Sequence, residues 1–240
     1  MNTDRIFLTA QWQHLAMLNY EVDAGLLLPF LPAGTELDRW REKLFVSIVG
    51  FRFLNTKMFG LLPIPMHSIF EEVNLRFYVR RQTGSEIRRG VVFIREMVPR
   101  RAIAFVARTL YNENYVAVPM AHEIRTVGDN LNVSYRWQNG IAWSGIKLET
   151  DGNPGLPGED SLEQFITEHY WGYAAQPCGG CVEYRVEHPS WRVWQVRQSM
   201  FEGDAEKLCG DKIAAVLRGK PGSAFLAEGS AVRVMRGQRL

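Results

Sequence analysis

Four polar side chains alternate with four apolar ones in the segment EVNLRFYV, residues 72–79. Successive side chains of a β-strand point to opposite faces, so one face of this strand carries Glu72, Asn74, Arg76 and Tyr78, the polar row. Neighbours in the row lie about 7 Å apart, close enough for two of them to contact one ligand. A carboxylate there could act as acid or base, and a guanidinium could bind a carboxylate or enolate oxygen.

The sequence leaves two environments open for the polar row. A half-buried strand of an antiparallel sheet turns such a face to water, and taken alone this is the simpler interpretation. If the face is enclosed instead, Glu72 must be paired or neutral, and Arg76 is the nearest candidate partner. Burial would then raise the pKa of Glu72, while the charge of Arg76 would lower it.

Two further segments carry side chains capable of chemistry. Cys178 and Cys181 have C-x-x-C spacing in PCGGC, but a Gly-rich turn before a strand favours an inert pair over a redox or zinc site. His188 in EHPSW precedes a bend fixed by proline, where a hydrogen-bonded structural role and a ligand-binding role both stay open. The sequence has no phosphate-binding glycine loop and no G-x-S-x-G motif, and we expect no cofactor and no metal.

The composition narrows the class of protein. The 240 residues are 46% hydrophobic and 22% charged, which is typical of a soluble globular protein. With 28 basic and 26 acidic residues, and arginine pairs that lack interleaved aromatic residues, nucleic-acid binding is not expected. No apolar run has the length of a membrane span, the first residues lack a signal-peptide core, and the cysteine count is odd. We therefore predict a cytoplasmic protein that does not bind membranes.

Strand patterns dominate the elements that must position these residues. Strands are predicted at 14–22, 43–59, 67–81, 87–98, 115–126, 131–138, 141–149, 181–187, 191–201 and 230–236, with tight turns at 82–86, 128–130 and 138–140. Helices are predicted at 22–32, 100–111 and 159–172, capped by Asp23 in the first and by Asp160 or Ser161 in the last. Residues 151–160 are predicted to form a mobile surface loop. Many strands in succession with few helices predict an antiparallel α+β or barrel-like domain, and no linker divides residues 1–240 into separate domains.

Four stretches resemble the motifs of the uncharacterised bacterial YqjF-like family, also called DUF2071. They are LLLPFLPAGTELD (26–38), FEEVNLRFYV (70–79), ARTLYNENY (107–115) and FITEHYWGY (165–173), the last followed by HPSW at 188–191. Asn114 stands where the family usually has proline, and His169 stands where it has arginine. The resemblance implies a fold similar to acetoacetate decarboxylase: a mostly antiparallel, cone- or barrel-like sheet with a few peripheral helices around an internal pocket. It implies no activity.

The same resemblance implies which residues face the pocket. It turns the polar row inward, with Glu72 as a candidate acid or base and a set of candidate ligand-binding residues: Asn74, Arg76, Arg108, Tyr111, Tyr115 and His188. Acetoacetate decarboxylases form a Schiff base through one lysine of a pair, and Tyr115 and Val116 take the places of that pair. Schiff-base decarboxylation is therefore not expected.

The function predicted on this basis is that of a protein with a small-molecule pocket. Its expected ligand is a keto or carboxylic acid, and its expected chemistry is enolisation, hydration or a lyase reaction without a covalent lysine. The alternative is a protein of the same fold that only binds a ligand, or that has a structural or interaction role. Whether the chain forms a homo-oligomer stays open.

Overall fold

A computed structural model describes residues 5–63, 68–99, 115–177 and 179–240, and strands dominate them. The strands are β1 (Ile6–Glu21), β2 (Glu36–Leu37), β3 (Phe45–Met58), β4 (Leu62–Pro63), β5 (Phe70–Thr83), β6 (Glu86–Val98), β7 (Tyr115–Ala117), β8 (Met120–Val127), β9 (Asn130–Asn139), β10 (Ala142–Gly155), β11 (Trp171–Ala175), β12 (Cys181–Glu187), β13 (Val193–Glu202), β14 (Ser223–Ala227), β15 (Ala231–Met235) and β16 (Gln238–Arg239). The α-helices are α1 (Ala24–Leu27), which continues as the 3₁₀ turn Leu28–Phe30, α2 (Leu162–Thr167), α3 (Ala205–Cys209) and α4 (Asp211–Leu217). No helix in these ranges is long and apolar enough to cross a membrane.

Seven of the strands form a closed ring. Their order is β3-β5-β6-β11-β12-β15-β1, and β1 pairs again with β3. All neighbours in the ring are antiparallel except β6 and β11. The remaining long strands continue from β1 in the order β14-β13-β10-β9-β8 and pack against the outer face of the ring.

The ring and the outer strands bury β5 on both of its faces. Its odd-numbered side chains, Val73, Leu75, Phe77 and Val79, lie in the core between the ring and the outer layer. Its even-numbered side chains point to the inside of the ring, where Tyr78 packs in a second, largely aromatic core. The polar row is therefore not a solvated face, and the inward orientation implied by the family resemblance is correct.

The predicted strands are confirmed with changes at their ends, and three local predictions need correction. The predicted strand 115–126 is two strands, β7 and β8, because Pro119 cannot donate a ladder hydrogen bond. Half of the predicted loop 151–160 belongs to β10, where Asp151 pairs with Gln195 of β13. The helix predicted at 22–32 is only α1 and a 3₁₀ turn, and Asp23 makes no side-chain cap hydrogen bond.

The other helix predictions have different outcomes. Ser161 does cap α2, since its Oγ accepts a hydrogen bond from the backbone nitrogen of Gln164 at 3.1 Å. That helix is shorter than predicted and ends at Thr167, before β11. The helix predicted at 100–111 and the residue Cys178 lie outside the described residues.

Candidate functional site

A cavity of about 190 Å³ lies inside the ring. All seven ring strands contribute side chains to it, as do β7, α2 and the segments that follow α2 and β12. Its polar or partly polar lining residues are Thr56, Glu72, Asn74, Arg76, Glu96, Tyr115, Thr167, His169, Tyr184 and His188. The rest of the lining is apolar and rich in aromatic rings.

Glu72 and Asn74 of the polar row are buried and bonded to each other. Only 3% of Glu72 and 2% of Asn74 is exposed. The carboxylate of Glu72 accepts hydrogen bonds from Asn74 Nδ2 at 3.0 Å and from the Tyr115 hydroxyl at 3.2 Å. Tyr115 reaches it because β7 runs parallel to β6 at the position of Glu96. The other polar atom of the Asn74 amide, Oδ1, has no hydrogen-bond partner in the described part of the chain.

Burial raises the pKa of Glu72 to about 7, from an ordinary value of 4.5. Desolvation of the carboxylate is the main cause. The hydrogen bonds from Asn74 and Tyr115 and the charge of Arg76 oppose it without cancelling it. Glu72 is therefore divided between its protonated and ionised forms near neutral pH, which suits a group that exchanges protons.

Arg76 is a buried cation with few partners. It is 8% exposed, and its Nη2 donates one long hydrogen bond, of 3.4 Å, to the carbonyl oxygen of Ile166. Its guanidinium carbon lies 5.7 Å from the centre of the Tyr78 ring. Among the described residues, no carboxylate lies within 4.0 Å of the guanidinium, and Nε has no hydrogen-bond partner. A buried guanidinium without an ion pair is costly, and it offers donors to an anion that enters the cavity.

A bulge in β6 brings a second carboxylate to the cavity. The register between β5 and β6 shifts between Leu75 and Arg76, so that Arg76 faces Phe93 while Asn74 faces Glu96. Phe93 and Glu96 are three residues apart and would point to opposite faces of a regular strand, but the extra residue puts both on the cavity side. Glu96 could not be predicted from the sequence, because strand alternation alone cannot locate a bulge.

His169 was also missed, and it lies at the cavity beside an ion pair between buried Asp38 and half-buried Arg89. Its Nε2 is 3.1 Å from Oδ2 of Asp38, and that oxygen also accepts a hydrogen bond of 2.7 Å from Arg89 Nε. Burial lowers the pKa of His169 to about 4, despite the opposing bond to Asp38. Burial alone would raise the pKa of Asp38, but its bonds to His169 and Arg89 hold it below its ordinary value. The departure from the family motif at position 169 was the one available signal.

Aromatic rings build much of the remaining lining, and we call five of them the aromatic wall: Trp12, Phe51, Phe53, Phe70 and Trp191. Ring centroids are 5.2 Å apart for Trp12 and Phe51 and 4.6 Å apart for the stacked pair Phe53 and Phe70, and Trp191 packs against Trp12 at 6.1 Å.

His188 stacks on the aromatic wall at Trp191, with ring centroids 4.0 Å apart. Its Nδ1 lies 2.9 Å from the carbonyl oxygen of Pro189, to which it donates. Burial lowers the pKa of His188 as well, so the ring is neutral at neutral pH. His188 thus has a structural hydrogen bond and also lines the cavity.

The candidate residues therefore separate into two groups. Glu72, Asn74, Arg76, Tyr115 and His188 come together at one cavity, and Tyr115 is the first residue of β7, within the strand predicted at 115–126. Arg108 and Tyr111 lie outside the described residues.

All six lysines of the chain are exposed to solvent. They are Lys43, Lys57, Lys147, Lys207, Lys212 and Lys220. Tyr115 lines the cavity at one of the two positions where acetoacetate decarboxylases are expected to have their lysine pair, and a tyrosine cannot form an imine.

The cysteines and possible metal ligands do not form a second site in the described ranges. Cys181 is buried in β12, and burial raises the pKa of its thiol, so the reactive thiolate is disfavoured. Within those ranges no three His, Cys, Asp or Glu side chains are grouped as metal ligands.

Solved structures of other proteins share this architecture. The chain is similar to acetoacetate decarboxylase from Legionella pneumophila subsp. pneumophila str. Philadelphia 1, with a TM-score of 0.69, 13% identity, and coverage of 100% of this chain and 90% of that one. It is similar to the enduracididine biosynthesis enzyme MppR in complex with pyruvate, with a TM-score of 0.68, 12% identity, and coverage of 97% and 90%. At such identities the likeness establishes a common fold.

Sequence comparison identifies the family. The uncharacterized protein YqjF of Bacillus subtilis (strain 168) is 27% identical over 169 residues, which are 70% of this chain and 67% of that protein. The family model of DUF2071, described as an uncharacterized conserved protein, matches residues 9–231. Because that match spans nearly the whole chain, the protein belongs to the DUF2071 family.

Proposed function

We propose that the cavity inside the ring binds a small keto or carboxylic acid, and that Arg76 receives its carboxylate. The observation that carries the proposal is the buried guanidinium of Arg76, which has no carboxylate within 4.0 Å among the described residues. Desolvating a charge costs several kcal/mol unless a counter-ion compensates for it. A bound carboxylate would provide that counter-ion and could form two hydrogen bonds with the guanidinium.

Glu72 would act as the acid–base group of a reaction at this binding site. Its raised pKa, about 7, means that a protonated Glu72 can coexist with an anionic ligand without repulsion. In its ionised form it would remove a proton from the carbon next to a keto group, and Arg76 would stabilise the enolate oxygen that results. Protonation of that oxygen gives the enol, and return of a proton to the carbon instead restores the keto acid, with its hydrogen exchanged for one from the solvent. Such chemistry needs no lysine, in keeping with the exposed positions of all six.

The fold supports the proposal by analogy only. Acetoacetate decarboxylase acts on a keto acid, and the similar structure of MppR was solved with pyruvate. Both are proteins of low identity to this chain, so the analogy extends to the place of the cavity and not to its reaction.

The second candidate is a protein that binds the acid without transforming it. It is favoured by the hydrogen bonds of Glu72, since Asn74 donates to one carboxylate oxygen and Tyr115 to the other. A carboxylate that accepts such bonds is a poorer base than a free one, because the bonds stabilise the ionised form.

A thermal-shift screen tests binding. The purified protein is heated with keto acids, carboxylic acids, aldehydes and lactones, in parallel with the Arg76→Gln variant. The matched control is Arg80→Gln, because Arg80 lies on the same strand but is exposed and pairs with Glu36. We expect acids to raise the melting temperature of the wild type and the control but not of Arg76→Gln. Equal stabilisation of all three proteins would refute the role of Arg76.

Deuterium exchange separates the enzyme from the binding protein. A keto acid that stabilises the protein is incubated with it in D₂O, and loss of its α-proton signal is followed by NMR. If Glu72 acts as a base, the wild type accelerates exchange and Glu72→Gln does not, although both bind the acid. Binding without acceleration by the wild type would leave the second candidate.

A further inference from the structure

We propose that the acid bound in this cavity carries an aromatic ring, so that the ligand is an aryl or arylalkyl carboxylate rather than a three- or four-carbon keto acid. This inference rests on the proposed function, because it assumes that Arg76 binds the carboxylate. It adds the chemical class of the rest of the ligand.

The side chains that line the cavity favour an aromatic ligand. Beyond the polar row, the lining consists largely of the aromatic wall together with Phe93, Trp171 and aliphatic side chains. Pyruvate would place a single methyl group against this surface, whereas a phenyl ring would bury its whole area there. Aromatic rings also gain from edge-to-face and offset contacts with other rings, beyond the area that they bury.

Aromatic rings also lie next to Arg76 and Glu72 on the neighbouring strands. Phe93 is its cross-strand neighbour on β6, and Phe51 is the cross-strand neighbour of Glu72 on β3. Directly opposite side chains in an antiparallel pair lie about 5 Å apart. When Arg76 binds the carboxylate of a ligand, the rest of that ligand would therefore lie next to Phe93 and extend towards the aromatic wall.

The volume of the cavity is sufficient for an aromatic ring. An apolar cavity of about 150 Å³ is known to accept benzene in another protein. The cavity here, at about 190 Å³, is larger and leaves room for one six-membered ring beside a carboxylate bound to Arg76.

Isothermal titration of the wild type with phenylacetate and acetate tests the inference, since the two acids differ by one phenyl ring. Benzoate, pyruvate and acetoacetate complete the series. Burial of a phenyl ring predicts a dissociation constant for phenylacetate at least about tenfold below that for acetate, and below those for both keto acids. The comparison needs no variant, so a folding defect cannot obscure it.

A pair of variants shows whether the lining causes the preference. Phe93→Leu removes a ring that lines the cavity, and Phe30→Leu makes the same change at an exposed position outside it. We expect Phe93→Leu to reduce the preference for phenylacetate over acetate by several-fold, and Phe30→Leu to leave it unchanged.

The outcomes distinguish this inference from the proposed function. Tighter binding of pyruvate or acetoacetate than of phenylacetate would overturn the inference, while the proposed function would stand. Equal binding of phenylacetate and acetate would do the same. If none of the five acids binds, the proposed function fails, and the inference fails with it.

Discussion

Replacing Glu72 by glutamine should change the stability of the protein in opposite directions at low and high pH. A carboxyl group whose pKa is raised by folding is neutral at low pH in both the folded and the unfolded protein. As the pH rises from 4.5 to about 7, the unfolded chain ionises Glu72 more readily than the folded one, and folding loses stability. Above about pH 7 the loss is complete and constant.

The magnitude follows from the pKa. The difference between 4.5 and about 7, at about 1.36 kcal/mol per pH unit, amounts to about 3 kcal/mol of stability lost by pH 8. Glutamine avoids this loss, but its single carbonyl oxygen cannot replace both carboxylate oxygens that accept from Asn74 and Tyr115, which costs about 1 kcal/mol. We therefore expect Glu72→Gln to be about 1 kcal/mol less stable than the wild type at pH 4.5 and about 2 kcal/mol more stable at pH 8.

Urea unfolding at both pH values, followed by tryptophan fluorescence, measures the two differences. The control is Glu183→Gln. Glu183 is as deeply buried as Glu72, but Arg81, Arg88, the Tyr173 hydroxyl and Gln238 all bond to its carboxylate. Breaking this network should destabilise the protein by about 3 kcal/mol or more at pH 8. A Glu72→Gln effect that is the same at pH 4.5 and pH 8 would refute the reasoning, because it would mean that folding does not shift the pKa of Glu72.

Three further predictions concern the cavity and the sheet. Arg76→Gln should raise the free energy of unfolding by about 1–2 kcal/mol in the absence of ligand, since it removes a buried charge that has no ion pair. Urea unfolding measures this free energy, and a lower value than in the wild type would instead indicate a structural role of Arg76. Borohydride reduction in the presence of acetoacetate should leave the intact mass of the protein unchanged, because all six lysines are exposed and none lines the cavity; an adduct at one lysine would contradict this. Gly50→Ala should lower stability by about 1–3 kcal/mol in calorimetry, because the added Cβ would lie 2.8 Å from the Tyr135 ring; unchanged stability would show that the ring can move away.

Local pattern was enough to predict the strands that carry the site. The alternation in residues 72–79 gave the two faces of β5, and the turn chemistry of 82–86 gave its hairpin with β6. Short elements with a weak period were missed, among them β11, whose sequence WGYAA contains a glycine and two alanines. Gly172 is needed there, because a Cβ would lie 2.1 Å from the Tyr184 ring, and that contact depends on the neighbouring strand.

The missing parts of the site are those created by contacts between distant residues. Asp38 and His169 are 131 positions apart and meet only because β2 and the segment after it pack beside α2. Glu96 faces the cavity because of one extra residue in β6, and the aromatic wall combines β1, β3 and β5 with the segment after β12. No period of 2 or 3.6 residues along the chain contains this information.

The position of the polar row depends on how the ring closes. An alternating strand has the same sequence pattern whether its polar face meets water or a cavity, so the pattern of β5 could not decide between them. What decides is the second pairing of β1 with β3, from Leu8–Met58 to Glu21–Phe45, which closes the ring. That closure removes Glu72, Asn74 and Arg76 from bulk water and leaves Asn74 Oδ1 and Arg76 Nε without hydrogen-bond partners among the described residues. Unsatisfied polar atoms on one wall of a cavity reduce stability, and folded proteins concentrate such costs where a ligand can offset them.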